Sequence, residues 1–273
     1  MIPLGDWPMA ERRELLGVFT DIDDTLTTDG AITPDALQAL AALRAAGLQV
    51  IAITGRPIGW CEPLAGSWPV HALVAENGSA AFVPAENSVQ SPSRLDSLLS
   101  KIYQQPESVR QRNRVRMQAV ARRILREVPG ARQAEDSAGR ETDIAIDHSE
   151  FSHLPPDRIA QVVRIMQAEG MNATVSSIHI NGWYGDHNKL EGARWIVRQL
   201  LARDLDAERH RWAYVGDSAN DQLMFQHFAH GIGVANIRSV AHTLAHRPRY
   251  VTAAERGAGF AEAAAAILRA RRP

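Results

Sequence analysis

Short apolar runs alternate with helical patterns at both ends of this chain, and that alternation restricts the fold more than any other feature. Leu16–Thr20 reads as a buried strand that stops at acidic residues. Thr33-Pro34-Asp35 then opens a helix, with an N-cap, proline at the first helical position and an acid in the first turn. Its apolar positions Leu37, Leu40 and Leu43 run to Gly47, a C-terminal stop. The next strand, Leu48–Ile53, is apolar on both faces, as a parallel sheet covered by helices requires. A third strand follows at Ala72–Ala75. After residue 188 the pattern returns: helix Leu190–Leu201, strand Trp212–Val215, short helix Asp221–Phe228, strand Gly231–Val234, strand Arg249–Thr252 and an alanine-rich helix Gly259–Arg269. This order predicts an α/β fold, a Rossmann-like core with a mainly parallel, doubly wound sheet.

Between the two stretches, Phe82–Tyr184 has a different character. A polar stretch leads into an arginine-rich helix at Val109–Val128, then a strand at Thr142–Asp147, a helix at Pro156–Glu169 and a strand at Asn172–Ile180. The expected organisation is a core from 1–82 and 185–273 with an inserted α+β cap at 83–184. The proline and glycines near Val83-Pro84 and Gly182–Gly185 are the expected hinges. The 273 residues suit one large domain or two modest ones.

In the arginine-rich helix, Met117, Val120, Ala121, Ile124, Leu125 and Val128 form one apolar stripe. Most of its arginines lie off that stripe, as on a solvated face, with nucleic-acid binding the competing reading. A net charge of −1 argues against a general clamp on nucleic acid. The single cysteine, Cys61, allows no intramolecular disulfide. Met1–Arg13 lacks the apolar stretch of a signal peptide and no 18-residue apolar run follows, so a cytoplasmic protein without membrane partners is expected. Of 30 basic residues only Lys101 and Lys189 are lysine, which draws attention to both.

Chemistry concentrates at the strand ends. Asp21-Ile22-Asp23-Asp24-Thr25 follows the first strand, where open α/β sheets bind ligands. Carboxylates this dense repel one another unless protons or a cation neutralise them. A divalent metal, magnesium for oxygen ligands and phosphate chemistry, is the economical solution, and an exposed acidic turn the plain alternative. Gly216-Asp217-Ser218-Ala219-Asn220-Asp221 follows a second strand in the same way, and Asp217 and Asp221 are placed to face the same cation. Thr54-Gly55-Arg56-Pro57 ends the Leu48–Ile53 strand with a hydroxyl, an accessible backbone N–H and a helix start, features suited to a phosphoryl oxygen but also to an ordinary turn. Lys189 precedes a helix and is a candidate for neutralising charge on aspartate and phosphate.

The order D-x-D-x-T (Asp21–Thr25), strand-ending Thr54, Lys189 and G-D-S-x-N-D (Gly216–Asp221) resembles the haloacid dehalogenase superfamily of phosphohydrolases and spans residues 21–221. The insertion, Thr54-Gly55-Arg56 and Glu76-Asn77-Gly78 are similar to the branch with Cof-type, sucrose-phosphate and mannosyl-phosphoglycerate phosphatases and phosphomannomutases; the tail Val251–Gly259 is faintly similar to the sucrose-phosphate phosphatases. The resemblance implies Asp21 as nucleophile forming an aspartyl-phosphate, and Asp23 as general acid and base. It implies Mg2+ held by the Asp21 carboxylate, the Asp23 backbone carbonyl and Asp217, with Asp221 nearby or acting through water. Thr54, Gly55, Arg56, Lys189 and Asn220 would bind the phosphoryl group or substrate, Thr54 and Lys189 counting also as catalytic. Asp24 stands where many members of the branch have glycine. Asp23 argues against a true dehalogenase, which needs no acid there to protonate an alkoxide.

The expected reaction is hydrolysis of a small phosphate monoester, a sugar phosphate or related polyol, with a phosphomutase or phosphotransferase as the alternative and a non-catalytic binder as the third reading. Arg140, Asp143, His179, Asn181 and Trp183 are the candidate cap contacts, Trp183 as a stacking surface. Trp60 and Cys61 fit either the cleft or the core.

Overall fold

The computed structural model describes residues 1–85 and 99–271. Thus 86–98, in the polar stretch expected at the head of the insertion, lie outside the described residues. The main sheet contains β1 (Ile2–Pro3), β2 (Gly17–Thr20), β5 (Gln49–Ile53), β6 (Ala72–Ala75), β7 (Ala80–Pro84), β8 (Leu99–Tyr103), β13 (Trp212–Gly216), β14 (His230–Gly233) and β15 (Tyr250–Val251). Its order is β1-β15-β14-β13-β2-β5-β6-β7-β8, parallel from β1 to β6 and antiparallel for β7 and β8. A small hairpin, β3 (Thr27–Thr28) and β4 (Ala31–Ile32), follows the first acidic motif.

Successive residues of β2 and β5 enter opposite apolar layers, which explains their unbroken apolar sequence. Val18, Val50 and Ala52 join a layer with helix α2 (Pro34–Ala45), helix α3 (Ile58–Ser67) and helix α8 (Arg256–Arg271). Phe19, Ile51 and Ile53 join the other, with helix α6 (Lys189–Leu201) and helix α7 (Gln222–His227). The remaining helix of this part is α1 (Met9–Arg13).

The insertion builds a separate four-stranded antiparallel sheet, ordered β11 (Asn172–Val175), β12 (His179–Trp183), β10 (Asp143–Asp147) and β9 (Arg132–Gln133). Helix α4 (Glu107–Glu127) and helix α5 (Pro156–Ala168) cover it with Met117, Val120, Ile124, Val162, Ile165 and Met166. The apolar stripe of α4 therefore faces the cap sheet, except that Leu125, placed in the stripe by sequence spacing, is exposed. The strand expected over Asn172–Ile180 is instead the first arm and turn of a hairpin, β11 pairing β12 around Ser176–Ile178.

Two features fasten cap to core. Glu76, fully buried, accepts hydrogen bonds from the backbone N–H groups of Ile58 (3.0 Å), Glu141 (3.0 Å), Thr142 (2.5 Å) and Asp143 (3.2 Å), and from the Thr142 hydroxyl. Its carboxylate thus ties the start of β10 to the turn after β6. In addition, β8 belongs to the main sheet, although it follows the expected boundary at residue 82. Val83-Pro84 lies inside β7 and Gly182 inside β12, so neither expected hinge is a free loop; of that group Gly185, at φ 118°, follows the strand.

Gly78 shows how closely α6 seats on this turn. Its φ is +107°, and an added Cβ would strike the Asn188 carbonyl and lie 3.0 Å from Gly192 Cα. Replacing Gly78 with alanine is expected to cost about 3 kcal/mol, measured by denaturant unfolding, because strain and overpacking coincide there.

Candidate active site

Parallel pairing brings three strand ends together. Thr20 pairs with Val215 on one side and Ala52 on the other, so Asp21, Asp217 and Thr54 emerge side by side at the carboxyl edge. Strand order reverses at β2, the position where such sheets open a ligand crevice. The Asp21 N–H donates to Val215 O at 2.9 Å and fixes the chain as it leaves β2. Asp24 has φ 55°, a left-handed turn that glycine adopts freely and aspartate tolerates better than most residues. That accounts physically for glycine and aspartate as alternatives at this position.

Lys189 is the first residue of α6, whose cap Asn188 accepts from Leu190 N–H at 2.9 Å and Glu191 N–H at 3.0 Å. The ammonium is buried and donates to Asp21 Oδ1 at 2.5 Å, Asp221 Oδ1 at 2.7 Å and Asn220 Oδ1 at 3.3 Å. Burial alone would lower the lysine pKa, but Asp21 and Asp221 outweigh it and hold the group charged. Burial pushes Asp21 up to about 7, Asp221 and Asp23 adding to the rise and Lys189 opposing it. Burial and the neighbouring Asp21 and Asp221 push Asp217 well above its usual range.

Asp21, Asp217 and Asp221 bring carboxylate oxygens within 4.8 Å of one another, all buried. One ammonium against three carboxylates leaves negative charge for a cation to neutralise, and an oxygen-only donor set suits a hard divalent ion. The three are not equivalent. Asp221 already accepts from Lys189 and Tyr214 on Oδ1, and from the N–H groups of Asp217 (2.9 Å) and Ser218 (3.0 Å) on Oδ2. Asp217 is held by Asn236 Nδ2 at 3.1 Å and, at a long 3.5 Å, by the Thr25 hydroxyl. Asp21 and Asp217 therefore keep more oxygen capacity for an ion, and Asp221 acts chiefly as an orienter.

Asp23 stands apart from that cluster. Arg56 Nε donates to both of its oxygens, at 3.0 and 3.1 Å, while Nη1 reaches Asp136 at 3.2 Å and Nη2 reaches Glu150 at 2.7 Å. The guanidinium also lies over the Trp60 ring, 4.9 Å from its centroid. Burial opposes charge on Arg56, but Asp23 and Glu150 more than compensate and raise its pKa. Burial likewise opposes charge on Glu150, yet His179 and Arg56 bring it down to about 2. Thr54 Oγ1 accepts the Arg56 N–H at 3.0 Å.

An inner cavity of about 10 Å³, room for one water, is bounded by Asp21, Asp23, Thr54, Arg56, Asn220 and the cap turn that contains Ser177. Of the cap candidates, His179 and Asn181 also line it. Asn181 donates to Asp143 at 3.0 Å and Gly55 O at 3.3 Å. Arg140 is committed to protein partners, Asp143 at 2.8 Å and Gly55 O at 3.0 Å. Asp143, pushed up to about 7 by burial against Arg140, is the inner member of that pair. Trp183 does not offer a stacking face: it is buried in the cap core with its indole N–H on His187 O at 2.8 Å. Cys61 is core as well, whereas Trp60 packs on Arg56. Asp136, Glu150, Tyr214 and Asn236 escaped sequence reasoning; Glu76, quoted in a motif, gave no sign of its role.

Residues 18–117 match the family model of the haloacid dehalogenase-like hydrolases. No curated protein sequence matches the chain. Among solved structures it is similar to a Thermoplasma acidophilum protein, at 17% identity and a TM-score of 0.67 over 93% of this chain and 99% of that one. It is similar to the sucrose-phosphatase of Synechocystis, solved with sucrose and phosphate, at 18% identity and a TM-score of 0.64, covering 93% and 98%. A COF-like hydrolase from Plasmodium vivax gives 14% identity and a TM-score of 0.66, covering 96% and 99%. These matches bear out the resemblance read from the motifs, and the fold is the haloacid dehalogenase-like one. The matched family model is one of hydrolases. No helix among the described residues is long and apolar enough to cross a membrane.

Proposed function

From a haloacid dehalogenase-like fold as premise, we infer that this protein is a magnesium-dependent phosphohydrolase acting on a small phosphate monoester, a sugar or polyol phosphate. The observation that carries the reading is the division of labour among the acids: Asp21 sits on the Lys189 ammonium, while Asp23 is set apart on Arg56. One carboxylate is thereby prepared to attack and the other to handle a proton.

In the first step an Asp21 oxygen attacks phosphorus and the P–O ester bond breaks, with Asp23 giving its proton to the leaving oxygen. In the second, Asp23 takes a proton from water, whose oxygen attacks phosphorus and releases phosphate from Asp21. Thr54, the Gly55 backbone, Lys189 and Asn220 hold phosphoryl oxygens, and Arg56 orients Asp23. Asp21, the Asp23 backbone and Asp217 would hold magnesium, supported by Asp221; when bound it offsets repulsion between carboxylate and phosphate. The insertion, with its own apolar core, acts as the cap that shields the site from water.

A panel of phosphate monoesters is expected to release phosphate with magnesium, to lose at least about a hundredfold in rate with excess chelator, and to recover on adding magnesium back. Full activity in chelator would overturn the metal requirement, and no release from any ester would overturn hydrolysis.

A further inference from the structure

Beyond Asp23 lies a second, larger cavity of about 340 Å³ that shares Asp23, Arg56 and Ile178 with the inner one. On the proposed mechanism the leaving oxygen faces Asp23, which borders both cavities, and this places the rest of the alcohol in the outer chamber. Its lining is predominantly acidic. Asp23, Asp24, Asp29 and Glu150 line it, and Arg56 is the one cation lining it among the described residues.

That cation has nothing left to offer. Arg56 Nε is taken by Asp23, Nη1 by Asp136 and by Glu150 at 3.4 Å, and Nη2 by Glu150, with Asp23 Oδ1 2.9 Å away. Behind the wall Arg256 is engaged in turn by Asp24 at 3.3 Å and Asp29 at 3.1 Å. Even with Asp23 protonated for its acid role, Asp24, Asp29 and Glu150 outnumber the two guanidiniums. A carboxylate or second phosphate on the alcohol would meet, among the described residues, an excess of negative charge and no free donor fork. Hydroxyl groups fare differently, since Ser149 and the carboxylate oxygens can bond them, and exposed Phe151 at the rim offers an apolar face.

We propose that the outer chamber is a charge filter, admitting phosphate esters of uncharged polyols and sugars and rejecting esters whose alcohol carries a second anion. Resting on the phosphohydrolase reading, it narrows that reading by removing acid-bearing alcohols such as phosphoglycerate derivatives. Selectivity comes from repulsion by Glu150, Asp24 and Asp29 rather than from an attractive contact.

The test compares kcat/KM for pairs differing by one charge: sorbitol 6-phosphate with 6-phosphogluconate, and glycerol 3-phosphate with 3-phosphoglycerate, at low and at high salt. The neutral member is expected to be favoured at least about tenfold, equivalent to ~1.4 kcal/mol, with the ratio shrinking at high salt. Glu150→Gln, and separately Asp29→Asn at the exposed rim, should each narrow the ratio about threefold or more. Equal or faster turnover of the acid member, or ratios unmoved by both substitutions, would overturn the filter. Absence of phosphate release from all four esters and from every other ester tried would instead remove the phosphohydrolase reading, and the filter with it.

Discussion

Asp21→Asn is expected to abolish phosphate release, lowering kcat by on the order of 10⁴-fold or more, because removal of a covalent nucleophile leaves only binding and electrostatic effects. The amide keeps the shape of the side chain and a neutral oxygen for Lys189, so the fold should survive. Loss of a carboxylate pushed up to about 7 by burial and by its acidic neighbours even relieves repulsion. Phosphate release measured beside circular dichroism and melting distinguishes the cases. An inactive but fully folded variant supports the nucleophile, whereas a variant retaining more than a few per cent of activity would rule out covalent attack by Asp21.

Glu76→Ala is expected to have the largest effect on stability. Four backbone N–H groups and the Thr142 hydroxyl converge on one buried carboxylate, and alanine would leave those donors buried without an acceptor. Breaking such a network costs about 4 kcal/mol, or roughly 10 °C in melting temperature for a chain of this size. Glu76→Gln, which keeps one carbonyl acceptor, should recover part of the loss. A melting temperature unchanged in the alanine variant would show that the cap is not held there.

The parts of the fold that sequence disclosed are those buried on both sides. β2, β5, β6 and β13 announce themselves because nearly every residue in them is buried. β8 does not, since Leu99–Tyr103 is only partly buried, and its Lys101 and Tyr103 bind Glu141 on the cap side. The β11–β12 turn was hidden for another reason: Ser176-Ser177-Ile178 contains no glycine, proline or asparagine to mark it. The same contrast holds at the site. Asp21, Thr54 and Asp217 stand at strand ends in short recognisable strings and Lys189 is one of only two lysines, whereas Asp136 and Glu150 are ordinary acids, one in a 3-10 turn and one in a loop. Their partner Arg56 is 80 and 94 positions away, a relation that only the folded chain creates.

The position of β2 between β5 and β13 also governs how this molecule is made. On the ribosome β2 emerges before its neighbour β13, which is encoded roughly 190 residues later, a delay of about 10–40 s at usual translation rates. Throughout that interval one edge of the central strand has unpaired amides and carbonyls, and Val18 and Phe19 lack part of their cover. That edge of β2 thus stays open until the segment carrying β13 has been made, and Asp21 and Asp217 come together only then.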